Sequence, residues 1–173
     1  MIRDFNLLVS CPRMRESDAC TEIWFLLGKI GDRELVVEKS EVSGLLVAKT
    51  KLEPFKAIAE LRRLLKERPQ EFRYILRVAP IEVVVPTRLE IIKKASLELS
   101  ARIGESETFR VTVEKRHTSL SSKEVIEAVA EGIDRKVDLH RPDRIVLVEI
   151  VGGLTGVSVI KPDDVLSVAK EKP

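Results

Sequence analysis

The sequence predicts an α+β chain of two domains, and three observations lead to this prediction. Over residues 4–79, apolar and amphipathic segments follow one another in the order strand, helix, strand, strand, helix, strand. A stiff apolar connection with a proline at each end follows at residues 80–86. Residues 109–160 then form a second series, in which a strand leads into a capped helix. A chain of 173 residues can form two small domains, each with a modest core.

The first domain opens with an apolar strand at residues 5–10 and a helix that ends before Gly31. Ser17 and Asp18 are residue types that cap helices, and the apolar residues after them recur at helical spacing up to Ile30.

A hairpin and a second helix come next. Residues 35–39 and 45–48 predict paired strands, and an amphipathic helix begins at Pro54. Residues 72–78 alternate and predict a fourth strand. This order is that of the split βαβ, or ferredoxin-like, arrangement, in which two helices cover one face of an antiparallel sheet. We therefore assign a ferredoxin-like domain to residues 1–80.

The second domain, residues 81–173, begins with a helix that Thr87 can cap. After a polar loop, Phe109, Val111 and Val113 alternate with polar residues, which indicates a strand with one buried face.

Basic residues stand where this strand ends and the next helix begins. The titratable side chains at the strand end are Lys115, Arg116 and His117. Ser121 and Glu124 have the spacing of a capping box, and Lys123 lies in the first turn of that helix. Because first-turn amides favour an anion, we interpret this place as a phosphate-binding corner. A solvated loop is the alternative interpretation of the same residues.

The remaining segments predict three strands and a short final helix. The strands are residues 137–139, 145–151 and 156–160. Gly152 and Gly153 form a hairpin turn and not a phosphate loop, because no Lys-Ser/Thr of a Walker motif follows them. The helix falls within residues 162–170.

The composition limits the possible functions. A net charge of +2 means that any polyanion must be held by local clusters of cations. Two cysteines and two histidines at these spacings predict free thiols and no metal site, and no dinucleotide or methyl-donor motif predicts a cofactor. No apolar run has the length of a membrane span and no signal-peptide layout is present, so we expect a soluble cytoplasmic protein without a membrane partner.

Five segments, in order, resemble the THUMP domain, an RNA-binding module named after thiouridine synthases, RNA methylases and pseudouridine synthases. They are FRVTVEKR at 109–116, SSKE at 121–124, VDLxxPD at 137–143, IVLVEI at 145–150 and GVSVI at 156–160. Several THUMP proteins also carry an N-terminal ferredoxin-like domain of the kind assigned above.

The resemblance implies a tRNA-binding protein that grips the acceptor stem and the 3′ end. The RNA-binding residues that it implies are Arg110, Lys115, Arg116, His117 and Lys123, together with the helix face of Arg88, Lys93 and Lys94. We expect Arg141 and Arg144 to be engaged by Asp138 and Asp143.

The sequence ends soon after the THUMP-like segments, and we therefore expect no catalytic domain and no enzyme activity. Proteins of this layout resemble the adaptors of tRNA acetylation, which implies an RNA cytidine acetyltransferase as the partner. The alternative hypothesis is a protein-interaction scaffold whose exposed sheet face or edge recruits a partner without RNA.

Overall fold

In the computed structural model, which describes residues 1–173, the chain folds into two units that each contain a five-stranded sheet. The first unit comprises Met1–Ile81 and Asp163–Pro173, and the second comprises Glu82–Pro162. The strands are β1 Leu7–Ser10, β2 Val36–Lys39, β3 Leu45–Lys49, β4 Arg77–Pro80, β5 Val83–Pro86, β6 Thr108–Arg116, β7 Lys136–Val137, β8 Arg144–Val151, β9 Leu154–Ile160 and β10 Leu166–Ser167. The α-helices are α1 Glu16–Lys29, α2 Pro54–Glu67, α3 Leu89–Leu99, α4 Ser122–Glu131 and α5 Val168–Glu171.

The first sheet has the strand order β10-β4-β1-β3-β2, with every neighbouring pair antiparallel. Helices α1 and α2 bury their apolar stripes in one aliphatic core with this sheet, and Ile23, Leu27, Ile58 and Leu61 lie fully inside it. The order of the first four strands and two helices is that of the split βαβ arrangement. The predicted ferredoxin-like fold is confirmed.

Two elements of the first unit differ from the sequence prediction. Helix α1 begins before Ser17, and its N-cap, Arg15, makes no side-chain capping bond. Residues 72–76 are not a strand, because the carboxylate of Glu22 accepts hydrogen bonds from the amides of residues 73–75, which a strand would use for pairing. Strand β4 therefore starts only at Arg77.

The second sheet has the order β5-β9-β8-β6-β7, and β6 runs parallel to both β7 and β8. Helices α3 and α4 cover one face of it. Phe109 and Val111 of β6 point into this core with Ile92, Val125 and Val129 of the helices, as the alternation along β6 predicts. Residues 152–153 form the predicted hairpin turn between β8 and β9.

The connection at residues 80–86 is more ordered than a linker. Its second half is β5, an edge strand whose Val83, Val84 and Val85 pair with β9. Thr87 does not cap α3, since the N-cap is Arg88 and the hydroxyl of Thr87 shares a hydrogen bond with Thr155.

The C-terminal tail belongs to the first unit, whereas the sequence assignment places it in the second domain. Strand β10 pairs antiparallel with β4, and Leu166 and Val168 are buried in the first core. Arg62 of α2 holds the tail through an ion pair of 2.5 Å with Glu171. No helix in the chain has both the length and the apolar character needed to cross a bilayer.

Candidate nucleic-acid interface

The end of β6 and the start of α4 meet as the sequence predicts. The Nζ of Lys115 donates to the carbonyl oxygen of Leu120 at 3.3 Å, which ties the strand end to the residue before the helix cap. The capping box is complete: the Ser121 hydroxyl accepts from the Glu124 amide at 3.1 Å, and the Glu124 carboxylate accepts from the Ser121 amide at 2.7 Å.

Several donors at this place have no partner in the protein. The first-turn amides of Ser122 and Lys123 donate to no capping side chain, and the side chains of Lys123 and His117 are exposed. His117 has a φ of 55°, which turns the chain sharply after β6. We call Lys115, His117 and Lys123 the basic corner.

Arg116 does not join the basic corner. Consecutive side chains of a strand point to opposite faces, so Arg116 lies on the face away from Lys115. Its Nη1 is 2.7 Å from Oε1 of Glu149, a carboxylate with no solvent exposure. This guanidinium therefore stabilises a buried carboxylate, which corrects the expectation that all three side chains at the strand end face one anion.

Arg110 lies on the same face of β6 as Arg116, near the other end of the strand. Its Nη1 donates to the carbonyl oxygen of Leu139 at 3.0 Å, whereas its Nε is buried and has no partner in the protein. Arg110 lines an open pocket of about 410 Å³ together with His140, Arg141, Pro142, Ile145 and Pro162. We call this the arginine pocket.

The turn before β8 presents two side chains of the arginine pocket. The Asp138 carboxylate accepts hydrogen bonds from the backbone amides of His140 and Arg141, each at 3.0 Å. These bonds hold the pKa of Asp138 below its usual range, although some desolvation raises it. The bond from the Arg141 amide has the larger effect on the pKa. The carboxylate thus orders the backbone and leaves the guanidinium of Arg141 without an ion-pair partner.

The expected pairing of Arg141 and Arg144 with Asp138 and Asp143 is therefore wrong. Asp143 accepts from the amide and hydroxyl of Thr108, and Arg144 pairs with Glu107 at 3.2 Å. Arg141 stays available as a free cation, and no carboxylate lines its pocket.

The structure adds His140 and Arg141 to the candidate residues, because both line a pocket with Arg110. The parallel strands β6 and β8 begin at the same end of the sheet, so the loop before β8 reaches the start of β6. That pairing, which places a basic His-Arg step beside Arg110, is seen only in the structure.

The helix face of Arg88, Lys93 and Lys94 remains a prediction. Arg88 is the exposed N-cap of α3, whereas Lys94 lines a shallow apolar pocket that also contains Glu98. A nearby carboxylate weakens the attraction of Lys94 for an anion. The arginine pocket brings two arginines without ion-pair partners together, whereas Arg88 and Lys94 are single cations.

The cysteines are poor candidates for chemistry. Burial raises the pKa of the Cys11 thiol to about 11, with Glu16 and Cys20 adding to the shift, and burial also raises the pKa of Cys20. A thiol with such a pKa is almost wholly protonated at neutral pH, and the protonated form is a weak nucleophile.

Residues 86–160 match the family model described as the THUMP domain. This match lies within the second unit, and the ferredoxin-like unit precedes it. No curated protein matches the chain.

Several solved structures share the fold. PH1313 from Pyrococcus horikoshii Ot3 matches with a TM-score of 0.63 and 22% identity, over 91% of this chain and 54% of that one. TrmN from Thermus thermophilus matches with a TM-score of 0.58 and 18% identity, over 88% and 44% of the two chains. A 4-thiouridine synthetase, solved with RNA and ATP, matches with a TM-score of 0.58 and 13% identity, over 94% and 42%. The chain thus spans about half the length of these structures or less.

Proposed function

We propose that this protein binds tRNA at its acceptor stem and 3′ end and presents it to a nucleoside-modifying enzyme. The observation that carries the proposal is the arginine pocket, in which Arg110, His140 and Arg141 converge without a lining carboxylate. Phosphate accepts hydrogen bonds and carries negative charge, which matches the two guanidinium groups of this pocket, neither of which has an ion-pair partner in the protein. The THUMP domain and the similarity to a synthetase solved with RNA support the same class of ligand.

The basic corner supplies a second contact on the same strand. Arg110 and Lys115 are five residues apart on β6, about 16 Å along the strand, and their side chains point to opposite faces of the sheet. An RNA that contacts both groups must therefore pass from one face of the sheet to the other. The pocket suits a nucleotide of the single-stranded 3′ end, and the open corner suits phosphates of the adjoining stem.

We further propose that this chain does not itself catalyse the modification. The arginine pocket and the pocket beside Lys94 contain no nucleophile beside a base, and the two thiols have raised pKa values. In this proposal the catalytic partner is a separate RNA cytidine acetyltransferase.

Reconstitution tests the proposal. Fluorescence anisotropy of labelled tRNA with the purified protein should show binding, and acetylcytidine formation by the acetyltransferase should depend on added protein. An Arg110→Ala/Arg141→Ala variant should lose both effects. If acetylation proceeds equally well without the protein, the acetyltransferase is not its catalytic partner. An absence of tRNA binding, with partner capture that survives nuclease treatment, would favour the scaffold hypothesis instead.

A further inference from the structure

Helix α1 displays an aromatic pair that the fold leaves unburied. Trp24 is 51% exposed and Phe25 is 48% exposed, whereas Phe5, Phe72 and Phe109 are fully buried. Aromatic side chains stabilise a protein mainly when they are buried, so an exposed adjacent pair indicates a binding site.

The pair lines an open pocket of about 360 Å³ whose other members are Gly28, Lys29 and Arg33. Gly28 stands one helical turn after Trp24, and a Cβ atom there would have no neighbour within 4 Å. Glycine weakens a helix interior, and packing gives no reason for it here. Its effect is to leave space beside the indole ring.

The polar groups of this pocket indicate the type of ligand. Lys29 Nζ lies 4.8 Å from the centre of the Phe25 ring and is held 2.8 Å from Glu71, so its charge is partly neutralised. Arg33 is exposed and has no partner in the protein, so its guanidinium is available to an anion. The lining side chains offer aromatic faces and N–H donors but no acceptor.

We propose that this pocket stacks an unpaired base of bound RNA on Trp24 and Phe25, with Arg33 on a neighbouring phosphate. Single-stranded nucleic acids bind to this combination of aromatic faces and cations. A protein segment fits less well, because its backbone amides would find no side-chain acceptors in the pocket. The inference rests on the proposed function only in taking RNA as the ligand.

Trp24 is the only tryptophan in the chain, so its fluorescence reports on this pocket directly. Titration with a short single-stranded oligoadenylate should quench its emission, whereas heparin, a polyanion without bases, should leave it unchanged. Phe25→Ala should weaken the oligoadenylate affinity about tenfold. Unchanged emission with oligoadenylate, or equal quenching by heparin, would overturn the proposal.

Gly28 provides a matched pair of variants. Gly28→Leu should fill the pocket and abolish quenching by oligoadenylate, whereas Gly28→Ala should leave it intact, with circular dichroism confirming the fold of both. Equal quenching in the two variants would contradict the assigned site. Acrylamide quenching of Trp24 emission tests for protein docking. If the catalytic partner protects Trp24 from acrylamide and RNA does not quench its emission, the pocket binds protein and the proposal is overturned.

Anisotropy with tRNA separates this inference from the proposed function. If tRNA binds and Trp24 emission does not respond, the stacking site is wrong and the tRNA-binding proposal stands. If oligoadenylate quenches Trp24 but tRNA does not bind, the stacking site stands and the tRNA-binding proposal fails.

Discussion

Lys115 and Arg116 are neighbours in the sequence but have different surroundings, because a strand turns consecutive side chains to opposite faces. Lys115 is exposed beside the cap of α4, whereas Arg116 is held against the buried carboxylate of Glu149. A buried charge is costly unless it is paired, so the first role of Arg116 is structural.

Arg116→Ala should lower the free energy of unfolding by about 2 to 3 kcal/mol, because it removes a charged partner from a carboxylate with no solvent exposure. Urea unfolding measures the effect. Lys115→Ala is the matched control and should change stability by less than about 0.5 kcal/mol. If Arg116→Ala lowers the free energy of unfolding no more than Lys115→Ala does, the ion pair does not stabilise the fold.

Some residue roles could not be read from the sequence. The run Lys115 to His117 was visible as basic, but which member faces a buried acid depends on β8, whose Glu149 pairs with Glu114 in the strand register. His140 and Arg141 are brought to Arg110 only by the parallel pairing of β6 and β8. Charge along a sequence indicates candidates, and the register decides which of them remain available.

At the scale of elements, helix α4 is set by local chemistry. Its capping box was predictable because both bonds join residues three positions apart. The predicted strand at residues 72–78 failed for the opposite reason, since the carboxylate that captures its amides comes from Glu22 on a distant helix. Sequence patterns therefore predict elements whose hydrogen bonds join near neighbours, and they miss hydrogen bonds from distant residues.

Ser121→Ala should destabilise the protein by about 1 kcal/mol, because the Glu124 amide loses its acceptor at the start of α4. Chemical denaturation checks this value, and hydrogen exchange should show faster opening in the first turn. Ser122→Ala, one residue later and outside the capping box, should have a much smaller effect. Equal losses in the two variants would argue against the cap as the cause.

The fold class and the division of the chain into two units followed from the order of strands and helices that the sequence predicts. The position of the tail did not, because β10 has only two residues and its partner β4 lies far back in the chain. Such a short pairing leaves no periodic signal. The tail instead completes the core of the ferredoxin-like unit.

Leu166→Ala should lower the free energy of unfolding by about 3 kcal/mol, because it opens a cavity in the first core. Lys170→Ala, an exposed position on the same tail, serves as the control. Hydrogen exchange should show the loss of protection in the first sheet and not in the second. Protection lost only in the second sheet would contradict the assignment of the tail.

The salt dependence of tRNA binding tests whether the arginine pocket holds RNA phosphates. For Arg110→Ala/Arg141→Ala, the slope of log affinity against log salt should become shallower by about two, because two phosphate contacts are lost. Lys56→Ala/Lys170→Ala removes the same charge from exposed positions of the first unit and should keep the wild-type slope. A double arginine variant with the wild-type affinity and slope would show that the arginine pocket does not bind the RNA backbone.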